Sequence, residues 1–358
     1  MNSKISRRGM LGGTLAAGLA APALVRADET INWRMVTSWP KRLPGPGMSA
    51  ERIAENISAL SGGRLTVKVY SAGELVPALQ VFDAVAGDTA EMAHTASFFW
   101  QGKMKAAAFF TAVPFGLTSP EHHAWIYHGG GQELWDELYG GFGIKPFMAG
   151  NTGMSMGGWY HKKIETVEDV KGLKVRMPGL GGEIFRRMGA TPVSLPPGEI
   201  ATSLQSGVLD GTEFLGPWSD LAMGFYKVTP VYHWPGFHEP NGTGEALVSL
   251  KAWQALPDDL KKLVETVCAA EASYALAETE QNNAIALRTL VEKHNVQVVP
   301  YPEDMIAAGR ELGGDVMLEF TKGDSITRRI YESYAKAQHN SAAWSRVSLQ
   351  AFLNARNY

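Results

Sequence analysis

INWRMVTSWPKRLPGPGMSAERIAENISALSGGRLTVKVYSAGELVPALQVFDAVAGDTAEMAHT, residues 31–95, decides the fold of this 358-residue chain. Ile31, Trp33 and Met35 alternate with polar residues, and so do Leu65, Val67 and Val69; a period of two marks a strand. Between them Ile53, Ile57 and Leu60 recur at helical spacing. A second helical stretch, Pro77 to Ala86, leads through Gly87-Asp88 to an extended run from Glu91 to Thr95. The same order returns past the middle. Lys174 to Met177 reads as a strand, Ile184 to Met188 as a helix and Pro192 to Leu195 as extended; Glu199 to Gln205 reads as a helix and Val208 to Phe214 as extended. Two βαβαβ units predict two small lobes with parallel sheets. Open α/β sheets bind ligands beyond the carboxyl ends of their strands, so two facing lobes predict a ligand held in a cleft.

Outward from the repeats, two stretches read as crossings between lobes: the small-residue segment Gly150 to Tyr160, and Pro235 to Gly242. The expected division is residues 28–152 for lobe I, 153–240 for lobe II, and 241–358 for a return to lobe I followed by C-terminal helices. Leu247 to Leu250 would rejoin the first sheet. Pro257-Asp258-Asp259-Leu260 opens a long helix with acids in its first turn, reaching about Lys293. Val296 to Val299 reads as a strand, and Pro302-Glu303-Asp304 opens a further helix. The apolar tail from Trp344 to Leu353 either packs on its own chain or pairs with a second copy as a homodimer.

The N-terminus reads as an address. Residues 1–27 hold Lys4, Arg7, Arg8 and Arg26 and no acid. Ser6-Arg7-Arg8-Gly9-Met10-Leu11 is a twin-arginine pattern, followed by an apolar run to Val25 and a small-residue cleavage site before Asp28. The run is shorter than the roughly 20 residues a bilayer span needs. Export to the periplasm as a soluble protein is the expectation, with a retained membrane anchor as the alternative. Removing this segment leaves 29 basic and 36 acidic residues, a net charge of −7, which argues against nucleic-acid binding. Cys268 is the only cysteine, so no internal disulfide can form. Its apolar helical neighbours Leu263, Val264 and Val267 predict a buried thiol.

Two motifs point toward a serine hydrolase: His128-Gly129-Gly130-Gly131, like an oxyanion loop, and Gly153-Met154-Ser155-Met156-Gly157, like a nucleophile elbow. Their spacing is too short for the strands and helices that separate such motifs, and Gly157-Gly158-Trp159 is a poor helix start. An exported hydrolase using Ser155, with Asp210 and His233, is therefore the runner-up reading. The adjacent His122 and His123 cannot share a helix face as a zinc pair would. Arg176 differs. It lies in Lys174-Val175-Arg176-Met177, a strand closed by Pro178-Gly179, and a guanidinium at a strand's carboxyl end offers a planar fork to a carboxylate. A structural ion pair is the alternative. Glu213 falls at the corresponding strand end, where an acid would repel an anionic ligand unless a cation lay between them; Glu239 is a further oxygen donor for one.

The chain resembles a known family at Ser71–Pro77, at His128-Gly129-Gly130-Gly131, at Gly150-Asn151-Thr152-Gly153 with Met156–Trp159, at Gly172–Arg176, at Asp210–Glu213 with Gly216-Pro217, and at Gly224–Val228. Together these are similar to the solute-binding proteins of tripartite ATP-independent periplasmic (TRAP) transporters, in the branch that binds 2-oxo monocarboxylates. The resemblance implies an α/β, two-lobed periplasmic binding protein, class II-like, with two hinge crossings and a helical C-terminal region. The resemblance further implies a receptor, not an enzyme, that would deliver a small 2-oxo or 2-hydroxy acid to a membrane permease. The resemblance makes Arg176 the carboxylate anchor and places Glu213, the main-chain oxygen of Phe214, and Glu239 at a bound Na⁺ or Ca²⁺. It also places Phe98, Phe99 and Trp100 on the apolar side and Asn151 at the cleft. Two departures stand out. Ser155 replaces a glutamine of the branch, and Phe98 and Phe99 replace tyrosines, which removes reach and two hydroxyls near the ligand.

Overall fold

The computed structural model describes residues 30–356, so the leader expected over 1–27 lies outside the described residues. In chain order the strands are β1 (Ile31–Thr37), β2 (Leu65–Tyr70), β3 (Met92–Thr95), β4 (Ile144–Asn151), β5 (Gly158–Tyr160), β6 (Lys174–Arg176), β7 (Thr191–Val193), β8 (Gly211–Thr212), β9 (Val231–Trp234), β10 (Thr243–Ser249) and β11 (Gln297–Pro300). One sheet has the order β2-β1-β3-β10-β4, the other β11-β9-β5-β8-β6-β7. In each, the predicted βαβαβ unit supplies the parallel part: β1 lies between β2 and β3, and β6 between β7 and β8. Antiparallel partners complete both sheets, β10 in the first and β5 in the second.

The local reasons are visible residue by residue. Pro46 sits in the first turn of the helix Pro46–Leu60, where its missing N–H costs nothing. Ile53 and Ile57 of that helix are fully buried against Trp33, Met35 and Leu65. Leu60, expected on the same face, is 67% exposed because it falls on the last turn, past the edge of the sheet. The helix Gly179–Arg187 starts five residues earlier than its apolar pattern shows, because the buried Gly181 and Gly182 contribute closeness rather than hydrophobic surface. At Gly181 a Cβ would come within 2.8 Å of the His238 side chain.

The chain passes between sheets at 151–158 and again at 234–243, as expected. A third connection was not foreseen. The helix Asp258–His294 starts under the first sheet, burying Leu260, Val264, Val267 and Cys268, and delivers β11 to the second, beside β9. Arg52 ties it to the helix Pro46–Leu60 through Glu271 at 2.8 and 2.9 Å and Glu278 at 2.8 Å. Two further helices brace both halves. Glu303–Glu319 packs on Gly179–Arg187, and Ser325–Ser345 packs on Ser119–His128 and Gly131–Gly140. One continuous core therefore joins Phe82, Phe110 and Trp135 to Ile184 and Phe185.

Candidate functional site

A small, partly open cavity of about 30 Å³ lies between the lobes at the carboxyl ends of β1, β3 and β6, lined by Trp39, Phe98, Phe99, Arg176, Phe214 and Glu239 among others. That volume holds about two waters. The lobes meet around it: Trp39, Leu43 and Ala96 share a buried cluster with Trp159, Phe214 and Leu215.

Arg176 is 2% exposed, held by the second lobe. Its Nη1 donates to Glu213 Oε1 at 2.5 Å and to the Glu213 main-chain oxygen at 3.0 Å. Its Nε points at the Leu195 oxygen at 3.5 Å, and the guanidinium carbon lies 5.5 Å from the Phe214 ring centre. No described residue accepts from Nη2. Arg176 is thus a buried ion pair whose Nη2 has no acceptor among the described residues.

The acids complete the polar side. His238 Nε2 is 3.2 Å from the second oxygen of Glu213. Glu239 takes a hydrogen bond from Ser155 Oγ at 3.2 Å on one oxygen, while its other oxygen is buried with no partner. Burial, and then the neighbouring Glu213 charge, push the Glu239 carboxyl well above the usual carboxylate range. An oxygen of Glu213, one of Glu239 and a ring nitrogen of His238 lie within 4.8 Å of one another. A buried carboxylate with an orphaned oxygen beside a second carboxylate fits a hard cation, which would supply the missing charge. No described residue donates to the main-chain oxygen of Phe214, so it too can turn to a cation.

Two expectations need correction, Trp100 at the ligand and the Ser155 triad. Trp100 does not line the cavity: its indole Nε1 donates to Glu245 Oε1 at 2.7 Å inside the first lobe, and its ring packs 5.1 Å from that of Phe82. Asn151 does line the cavity, and its amide also bonds residues of the hinge. Its Oδ1 accepts from Ser119 Oγ at 2.9 Å and Gly153 N at 2.8 Å, and its Nδ2 donates to Asn241 Oδ1 at 2.7 Å. Ser155 is 4% exposed and bonds Glu239, not a histidine. Asp210 accepts from Lys174 N at 2.8 Å and His233 Nε2 from Ile164 N at 3.1 Å, so no triad forms. His128 ends one helix and Gly131 opens the next, which is all that the glycine run does.

Two residues of the site were missed. Trp39 follows the carboxyl end of β1, and the strand-end rule would have found it; its indole is fixed by His94 Nδ1 at 2.8 Å. His238 stood in the predicted second crossing, but nothing in the sequence turned its ring toward Glu213.

The comparisons agree with this geometry. The family model for bacterial extracellular solute-binding protein, family 7 (DctP), matches residues 38–323. A monocarboxylate 2-oxoacid-binding periplasmic protein of Nostoc sp. is 37% identical over 361 residues, covering 98% of both chains. A TRAP solute-binding protein of Pseudoalteromonas atlantica, solved with bound sodium and pyruvate, superposes with a TM-score of 0.88 at 37% identity, covering 91% of this chain and 99% of that one. One from Colwellia psychrerythraea, with bound calcium and pyruvate, gives 0.88 at 36% with the same coverage. One from Bordetella bronchiseptica, a mixed-occupancy dimer with copurified calcium and picolinate, gives 0.89 at 35%, covering 91% and 97%. Two α/β lobes meet around one cavity that both of them line, and this chain belongs to the family 7 bacterial extracellular solute-binding proteins, which are receptors rather than enzymes.

Proposed function

We propose that this protein captures a small 2-oxo or 2-hydroxy monocarboxylate together with Na⁺ or Ca²⁺ in the periplasm and delivers it to the membrane subunits of a TRAP transporter. The observation that carries the reading is the orphaned, fully buried oxygen of Glu239 beside the Arg176–Glu213 pair at a small interlobe cavity. In this reading Arg176 Nη2 takes the ligand carboxylate. Glu213, Glu239 and the Phe214 carbonyl hold the cation, which bridges the carboxylate to the neighbouring 2-oxygen. The small cavity favours acids of a few heavy atoms, and the relatives with bound pyruvate support the same class. Closure makes selectivity, because a ligand lacking the 2-oxygen leaves buried polar groups unpaired. Titration calorimetry of chelator-treated protein tests it: pyruvate should bind with added Ca²⁺ or Na⁺, and propionate should not. Equal binding of the two acids, or binding indifferent to cation, overturns the proposal.

A second reading concerns assembly. Trp344, Val347, Leu349, Phe352 and Leu353 are between 44% and 70% exposed at the C-terminal end. So much apolar surface in one place suits association between two copies of the chain. Sedimentation of the wild type against a variant ending at Ala343 tests this: a dimer that becomes a monomer is expected, and a wild-type monomer sinks the idea.

A further inference from the structure

Glu245 is fully buried on β10, opposite Thr95 of β3, and does not line the cavity. Three donors converge on its carboxylate: Ser97 Oγ at 2.6 Å and the Tyr139 hydroxyl at 3.1 Å on Oε2, and Trp100 Nε1 at 2.7 Å on Oε1. No cation pairs with it among the described residues. Ser97 and Trp100 are the first and last residues of one short 3₁₀ turn, and the two residues between them, Phe98 and Phe99, form part of the cavity wall. One carboxylate therefore grips both ends of the turn that presents the aromatic pair. The Ser97 end is also held by its main-chain N–H, which donates to Thr111 Oγ1 at 2.8 Å, but the side-chain bonds at the two ends of the turn both go to Glu245. Phe98 and Phe99 are only half-buried, set edge to face at 4.7 Å, with Trp39 6.1 Å beyond Phe99. A buried acid is a costly way to fill space, and an apolar residue would fill it more cheaply. What an apolar residue could not do is accept two hydrogen bonds from donors three residues apart.

We propose that Glu245 is a positioning residue for ligand selectivity: by fixing the Ser97–Trp100 turn it sets where Phe98 and Phe99 stand, and so how large an acid side chain the cavity admits. The inference rests on the small-carboxylate reading above. Its test separates selectivity from stability, using pyruvate and the bulkier 2-oxoisocaproate as probes, with Ca²⁺ present. Ser97→Ala and Trp100→Phe each remove one of the two bonds by which Glu245 holds the turn, Glu245→Gln perturbs both, and Tyr334→Phe removes a buried hydrogen bond outside the turn, the one its hydroxyl accepts from Leu117 N at 2.8 Å. Each of the first three should shift the ratio of the two dissociation constants by about fivefold, the scale of one hydrogen bond, while Tyr334→Phe lowers the melting temperature and leaves the ratio at the wild-type value. Ratios unchanged in Ser97→Ala and Trp100→Phe, or shifted equally by Tyr334→Phe, overturn the proposal even if Glu245→Gln fails to fold. Failure of the wild type to bind either acid overturns the small-carboxylate reading and this inference together.

Discussion

The guanidinium of Arg176 and the carboxylate of Glu213 form a fully buried pair at 2.5 Å, and both belong to the second lobe. In the proposed reading the anchor is thus preassembled on one jaw, and Trp39, Phe98 and Phe99 of the first lobe line the cavity opposite it. Pairing also keeps the arginine tolerable when no ligand is present, since a lone buried charge is far more costly than a paired one.

Arg176→Ala should weaken binding of a 2-oxo acid by roughly 2–4 kcal/mol, the range for removing one partner of a buried charged hydrogen bond. It also strands Glu213, so the melting temperature should fall. Arg176→Lys restores charge but not the fork, and should recover stability more than affinity. Calorimetry showing wild-type affinity in Arg176→Ala would falsify the anchoring role.

Glu239→Gln should make acid binding independent of added cation. It should also raise the melting temperature of chelator-treated protein, because an orphaned buried acid group costs about 1–3 kcal/mol and the amide places a donor beside Glu213 instead. A variant that keeps a calcium-dependent ligand affinity would remove Glu239 from the cation site.

Phe98 of the first lobe touches Gly179 of the second. A Cβ at Gly179 would lie 3.3 Å from that of Phe98, and the glycine has φ of +70°. Phe98 borders both the interlobe cavity and an open cleft of about 670 Å³ outside it, so in the proposed reading this contact is the seal over the ligand. Gly179→Ala should destabilise the protein by about 1–2 kcal/mol through its backbone conformation alone. It should further weaken ligand binding by holding the lobes apart. Adding Phe98→Ala should relieve the second effect and not the first, and additive losses in that double-mutant cycle would exclude the seal.

Asp220 accepts from Trp159 Nε1 at 2.9 Å and the Tyr232 hydroxyl at 2.7 Å, and burial pushes its carboxyl up to about 7. The folded protein then holds a proton that the unfolded chain releases above the ordinary aspartate range. Its contribution to stability is full below about pH 4 and is lost as pH rises toward 7. Asp220→Asn removes that slope, so the melting temperature of the variant minus that of the wild type should become more positive between pH 4 and 7. A difference that stays flat or falls with pH would place the ionised form in the fold.

Much of this was legible in order along the chain. Alternation at Ile31–Met35 and Leu65–Val69 located β1 and β2, and Pro178-Gly179 marked the strand end that carries Arg176. Glu213 and Glu239 were visible as acids near an anion site, and the structure places both within reach of one ion. The misreadings share a cause. Phe98, Phe99 and Trp100 are three consecutive aromatics with equal claims by composition, yet a turn sends the first two to the cavity and the third to Glu245. The helix Asp258–His294 was recognisable as a helix, though its destination in the second sheet was not.

Sequence by itself determined the periodicities, the strand ends and the residue types available for an organic anion and a cation, because these follow from local backbone geometry and side-chain chemistry. Tertiary structure alone decided which oxygen of Glu239 is left without a partner, which ring seals the cleft, and that Glu245 holds the turn beneath it. Those outcomes depend on distances between segments up to about 150 residues apart, and such distances are set by how two sheets and a spanning helix pack rather than by any pattern along one strand.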